Sequence, residues 1–312
     1  MSFLSILILI FSPIIVALCI LSPLFPNNEI KIRRFCKTFS IIHFIYSCMF
    51  LMFFNSTHLG WSYQKELTFL GTSLLKSLGI SASFALDGIS IVFVLLTSFV
   101  TMLVIIASKC MIRTKHRLYY SLVLFLQTIV LGVFCAKDMF LLFLFWQSEL
   151  IVTYLLITQW GERFFSKQAG MKYLTYNAIG NSLLFLGILI LYFYSFSLSG
   201  ILTADMESIN ISENIYTLGL YSFMFWCFFI GFAVKLPIFP LHFGLINAQI
   251  TTVTPVSMLL SVLILSMGGY GIVRFNIGIF PEIFNYFSIL IIILGIVNIL
   301  YGICIAISQT NI

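Results

Sequence analysis

Runs of about twenty apolar residues, the length that crosses a bilayer core as a helix, recur along this chain and dictate what it can fold into. The 312 residues are 61% hydrophobic and 8% charged, against roughly 25% charged in a soluble domain. No water-facing surface can be assembled from that composition. Lipid or other helices must be the solvent for most side chains, where only helices and closed barrels satisfy their own backbone. The runs lack the period-two alternation of barrel strands. An all-α polytopic membrane helix bundle is therefore expected, with nine spans near 2–24, 36–54, 85–108, 118–135, 139–158, 170–196, 215–238, 254–274 and 284–308. The first run lacks the basic start of a signal peptide and is long for its core, so it is read as a span. The longest polar stretches, Asn55–Ser83 and Ser197–Asn214, are loop-sized.

The basic residues fix an orientation. Lys31, Arg33, Arg34 and Lys37 follow span 1, Lys109, Arg113, Lys115 and Arg117 follow span 3, and Arg163, Lys167 and Lys172 follow span 5. These eleven of the sixteen Lys and Arg residues fall on one face of the membrane, which is then the cytoplasmic or matrix face. The opposite loops carry Lys65, Lys76, Lys137 and Arg274, with the acids Asp205, Glu207 and Glu213 after span 6. The N-terminus is expected outside. The net charge of +6 thus reflects topology and gives no reason to expect nucleic acid. The seven cysteines stand singly with no C-x-x-C spacing and are expected to be free thiols packed as small hydrophobes. No phosphate loop, nucleophile triad, metal cluster or haem attachment site is legible.

Lys235 is the lone charge in Tyr221–Pro240, and Pro237, Pro240 and His242 follow it. An ammonium at that depth costs at least about 2.5–3.5 kcal/mol. The seventh span is expected to break at Lys235–His242, a combination suited to ion translocation; a lysine snorkelling from a helix end is the alternative. Glu149, within span 5, is either a partner or relay for Lys235, or a buried neutral carboxyl bonded to Ser148 or Thr153. Gln147 lies two residues earlier, about 200° round the helix, so the two are not expected to share a cavity. His242 suits proton handling or, alternatively, bonds a carbonyl freed by Pro240. His43 is read as an interhelical hydrogen-bonding residue and Asp87 as a helix cap. Thr175, Asn177, Asn181 and Ser182 form a polar stripe near Lys172, and Met267–Gly271 is read as a close-packing segment.

Several segments together resemble one family. AVKLPIFPLH (233–242) is similar to the broken seventh helix of the antiporter-like subunits of respiratory complex I. FALDGISIVFVLLTSF (84–99) is similar to the third helix of NADH dehydrogenase subunit 4, LLFLFWQSELIVTYLLITQWG (141–161) to its fifth and SKQAGMKYLTYNAIGNSLLFLGILIL (166–191) to its sixth. MLLSVLILSMGGYGIVRFN (258–276) resembles its eighth. The resemblance implies a fourteen-helix fold with two inverted five-helix repeats, each with one broken helix, and proton translocation coupled to quinone reduction. It implies that residues 1–110 are peripheral spans and 111–312 the first repeat with one further span. FMN, iron–sulfur clusters and ubiquinone would belong to other subunits, with no cofactor in this chain. The implied setting is the mitochondrial inner membrane, with the N-terminus in the intermembrane space.

The departures from the family pattern are specific. Gln147 stands where a glutamate follows tryptophan in the family, and Ser266 where a lysine precedes Met-Gly. Phe243–Gln249 replaces a segment with its own acid, imidazole and proline. A full member is roughly half as long again, so either a split gene leaves a second chain to supply the C-terminal helices or the subunit is truncated; the apolar flank that nine spans would leave uncovered favours a separate complementary chain, alongside other membrane-arm subunits. The proton-relay candidates are Lys235, Glu149, His242 and Lys172. The rival readings are a non-conducting scaffold of the same complex and a component of a multi-subunit cation/proton antiporter.

Overall fold

The computed structural model describes residues 4–23, 25, 26, 28–54, 62–66, 78–109, 111, 112, 114–161, 165–206 and 218–308. Lys76, Cys110, Arg113, Arg163, Glu207 and Glu213 lie outside them. The helices are α1 (Leu4–Leu21), α2 (Glu29–Met52), α3 (Gly88–Ala107), α4 (His116–Cys135), α5 (Met139–Trp160), α6 (Ser166–Ser199), α7 (Leu218–Lys235) and α8 (Phe243–Thr251). After them come α9 (Thr254–Ile277), α10 (Pro281–Tyr286) and α11 (Ser288–Ser308). Seven helices are long and apolar enough to cross a membrane: α2, α3, α4, α5, α6, α9 and α11. The expected first and seventh spans fall on shorter apolar helices, α1 and α7. The architecture is an all-α polytopic bundle in which α4 is almost wholly enclosed and α11 is exposed along its span.

Three details differ from the expectation. The stretch Asn55–Ser83 is more than a loop. Strand β1 (Ser62–Glu66) pairs antiparallel with β2 (Ser83–Leu86), so the helix expected from 85 starts at Gly88. Four buried residues, Ser-Phe-Ala-Leu, read equally well as a helix start by hydropathy; the Asp87 side chain settles the boundary by accepting from the Ser90 N–H at 2.7 Å. The ninth span is interrupted at Phe287, giving α10 and α11. Helix α6 runs for 34 residues, about 50 Å at 1.5 Å per residue.

The described residues around Ser81–Ser83 and Ala204–Asp205 pack on the turn between α4 and α5. Lys137 N–H donates to the Ser83 carbonyl at 3.0 Å and Met139 N–H to the Ala204 carbonyl at 3.0 Å. Lys137 pairs with Asp205 at 3.1 Å. Asp138 caps α5 through the N–H groups of Phe140 and Leu141 and also accepts from the Ser81 N–H at 2.9 Å. Burial nevertheless pushes the Asp138 carboxyl up to about 6, since losing water costs more than the three donors return. The turn that launches α5 is thus held on three sides.

Helix α9 contains two π-helical turns, Leu260–Ile264 and Ile272–Ile277, around an α-helical middle. The close-packing reading of Met267–Gly271 holds at two glycines. A Cβ on Gly271 would lie 2.4 Å from the Phe232 ring, and one on Gly268 2.9 Å from Leu236. Gly269 faces open space. Within the second π-turn, Arg274 reaches Asp87 at 2.7 Å and ties α9 to the start of α3. Asp87 is therefore a cap, as expected, and also half of an ion pair. Among the described residues the six cysteines, Cys19, Cys36, Cys48, Cys135, Cys227 and Cys304, are free thiols.

Gly271→Ala is expected to destabilise the fold by about 1–3 kcal/mol through overpacking against Phe232. Gly269→Ala should be neutral or stabilising by up to about 1 kcal/mol; thermal unfolding in detergent compares the two. For Asp138, the unfolded carboxyl loses its proton near its ordinary value of 3.8 and the folded one near 6. Stability from this group is therefore fully present below roughly pH 4 and falls by about 3 kcal/mol as pH rises to roughly 6. Asp138→Asn keeps a capping oxygen and should flatten that slope in pH-dependent melting.

Candidate functional site

The break expected after Lys235 is present. Helix α7 ends at that residue and α8 begins at Phe243. Pro237 has no N–H to continue the ladder. Three backbone bonds carry the chain round the corner: Leu236 N–H to Phe232, Ile238 N–H to Ala233 and Leu241 N–H to Ile238. The Phe239 N–H finds the Asn298 side-chain oxygen on α11 at 3.1 Å.

Small residues set where Lys235 lies. A Cβ on Gly231 of α7 would meet Leu184 at 2.9 Å, and one on Gly180 of α6 would meet Val234 at 2.9 Å. The two backbones approach closely where each glycine faces the other helix. That contact delivers the end of α7 against α5 and α6. Glu149 stands ten residues from the start of α5 and eleven from its end, about 15–16 Å along its axis from each.

There the Lys235 ammonium meets Glu149 Oε2, and neither side chain touches solvent. Tyr173 of α6 donates its hydroxyl to Glu149 Oε1 at 2.9 Å. The ammonium also lies 4.5 Å from the Trp146 ring centroid, within cation–π reach. Trp146 in turn donates its indole N–H to Asn181 Oδ1 at 2.8 Å, and Asn181 Nδ2 donates to Gln147 Oε1 at 2.8 Å. The buried lysine is therefore paired, and it does not snorkel to solvent: a buried glutamate on a neighbouring helix offsets the desolvation. A Lys–Glu pair carries no net charge whether the shared proton sits on nitrogen or on oxygen. The proton can therefore pass between the two groups without leaving an isolated charge in a medium that tolerates none.

The other candidates separate from this pair. Ser148 and Thr153 do not bond the Glu149 carboxyl; their hydroxyls return to the backbone carbonyls of Leu144 and Glu149. Gln147 is half-buried and bonded to Asn181, and it reaches the pair only indirectly, through Asn181 and Trp146. Lys172 is exposed on the outer face of α6, one position from Tyr173 but pointing elsewhere, and does not join the relay candidates. Ser266 is half-buried and bonds its own helix at Leu263. His242 is buried with Nε2 3.0 Å from the Tyr301 hydroxyl on α11. Its partner is a side chain on another helix and not the carbonyl freed by Pro240. His43 is the interhelical residue expected, bridging the Leu9 carbonyl and Gln127 at 3.0 Å each.

The polar stripe on α6 splits. Thr175 and Ser182 are exposed and bond their own helix, whereas Asn177 and Asn181 are buried. Tyr173 is the residue that sequence reasoning missed. It stands four before Asn177 and eight before Asn181, a spacing that puts all three on one helix face. That spacing was a usable signal.

Residues 136–312 match the family model described as "NADH:quinone oxidoreductase/Mrp antiporter, TM". The chain is 38% identical over 294 residues to NAD(P)H-quinone oxidoreductase chain 4 3 of the cyanobacterium Picosynechococcus, a match covering 94% of this chain and 51% of that protein. Its fold is like that of a chain in respiratory complex I from Thermus thermophilus with bound NADH. There the TM-score is 0.79 and the identity 22%, over 97% of this chain and 59% of the other. A chain of the Mrp complex from Dietzia gives a TM-score of 0.70 at 17% identity, over 87% of this chain and 28% of the other. The chain spans about half the length of the curated relatives it matches. On the match that runs from Ala136 to Ile312, this chain belongs to the NADH:quinone oxidoreductase subunit 4 family of antiporter-like membrane proteins.

Proposed function

We propose that the chain is a membrane-arm subunit of a proton-translocating NAD(P)H- or NADH-quinone oxidoreductase of the complex I type. Within it, Lys235 and Glu149 form the proton-exchanging pair of an antiporter-like half-channel. The observation that carries this reading is the buried Lys235–Glu149 ion pair at the end of a broken helix. A proton arriving at the pair, or leaving it, creates a net charge in a low-dielectric interior. That charge is a driving force for moving the break or passing the proton onward. Redox chemistry would belong to other subunits, with FMN, iron–sulfur clusters and quinone held there.

In this reading nine helices cross the membrane, α1 and α7 among them, and the N-terminus lies outside. Residues 1–110 form the peripheral spans and residues 111–312 the first repeat with one further span. The relatives named above are bacterial, so the setting proposed is an energy-coupling membrane in general; the mitochondrial inner membrane draws no support from them. Mass spectrometry of the intact membrane complex should find the chain co-purifying with other membrane-arm subunits and a flavin-bearing arm. A complex without that arm would favour an antiporter component instead, the reading that the likeness to the Mrp complex chain supports.

A non-conducting scaffold is the second reading. Gln147 cannot release a proton and Ser266 bonds only within its helix. The two readings part on Lys235→Met. A relay loses proton yield per NADH oxidised in reconstituted vesicles while NADH–quinone turnover continues. Unchanged yield leaves the scaffold. As a separate measurement, Lys235→Met and Glu149→Gln should each destabilise the chain by about 3–5 kcal/mol if the pair is ionised. The double replacement should recover most of that loss.

A further inference from the structure

Each carboxylate oxygen of Glu149 is committed to a different helix. Oε2 meets Lys235 on α7, and Oε1 accepts from Tyr173 on α6 at 2.9 Å. A carboxylate held at one oxygen alone turns readily about its last torsion, which is broad and two-fold. Two donors on two helices fix that torsion and so fix which oxygen faces the ammonium. No other described α6 side chain does this. Asn177 donates to the Tyr173 backbone carbonyl, Asn181 is taken by Trp146 and Gln147, and Lys172 is exposed. Tyr173 is itself fully buried, so its hydroxyl needs a partner at that depth. A phenol is also the right donor there: it gives a hydrogen bond to the carboxylate without adding a second positive charge beside Lys235.

We propose that Tyr173 is the positioning residue of the Lys235–Glu149 pair, fixing the Glu149 carboxylate so that Oε2 faces the lysine through each exchange of the proton. The inference rests on the proton-exchanging reading of that pair, and its test separates the two. The protein is purified in its native assembly as wild type, Tyr173→Phe, Glu149→Gln and the double variant. Infrared difference spectra after a pH jump identify the Glu149 carboxylate band by its loss in Glu149→Gln. In Tyr173→Phe that band is expected to move, because one charge-assisted hydrogen bond is gone, while melting stays close to wild type. Proton transfer in vesicles is expected to slow about tenfold or more, and the double variant to be no slower than Glu149→Gln alone. An unmoved band in Tyr173→Phe, or losses that multiply in the double variant, overturns the assignment of Tyr173. If proton transfer is equal in wild type, Glu149→Gln and Lys235→Met, the relay reading falls. The band shift then still decides whether Tyr173 holds the carboxylate.

Discussion

A lysine and a glutamate facing each other without water constrain this molecule more than any other contact. Neither can be buried alone, so α5 and α7 must present them at the same depth and azimuth. The Gly180–Val234 and Gly231–Leu184 contacts bring α7 close enough to α6 for that to happen. The turn at Ala136–Asp138, pinned by β2 and the segment around Ala204, fixes where α5 begins and hence how deep Glu149 lies. The break at Pro237–Pro240 ends α7 at the lysine, so its long side chain is aimed by the last turn of the helix.

The same solution recurs at the ends of the bundle. Arg274 pairs with Asp87, Lys137 with Asp205 and His116 with Glu29. The buried His43 uses both ring nitrogens, on the Leu9 carbonyl and the Gln127 amide. In each case the partner comes from another element. These contacts select one packing of apolar helices whose lipid-like surfaces would otherwise fit one another in many ways. A polar contact in such a bundle specifies arrangement more than it adds stability.

Much of the fold was legible in the sequence because hydrophobic length alone reports a span. The positions of α3 to α6, the break after Lys235 and the tight packing at Gly268 and Gly271 all followed from run length, proline placement and glycine clustering. What remained hidden depends on helix rotation. Glu149 was one of two polar residues two apart on α5, and a single helix does not reveal which neighbour each faces. Glu149 therefore reads from sequence either as the partner of Lys235 or as a buried neutral carboxyl, and only the packing of α7 on α5 decides between them. Tyr173 was passed over because an aromatic in an apolar helix reads as packing, and its hydroxyl acquires meaning only against Glu149. Arg274 and Asp87 lie 187 residues apart, beyond any local pattern. Strand β2 was absorbed into a span because its four buried residues are as apolar as the helix they precede.

The two π-helical turns of α9 set its phase. Each wide turn accommodates one residue more than the regular repeat, so the surface beyond it is rotated relative to the surface before it. Gly268 and Gly271, between the two wide turns, lie flat against Phe232 and Leu236, while Arg274, inside the second, swings round to the head of α3. An evenly wound rod would have to surrender one of these neighbours. The helix works as a cam: its uneven winding lets a single element address the lysine-bearing helix on one flank and the head of α3 on the other.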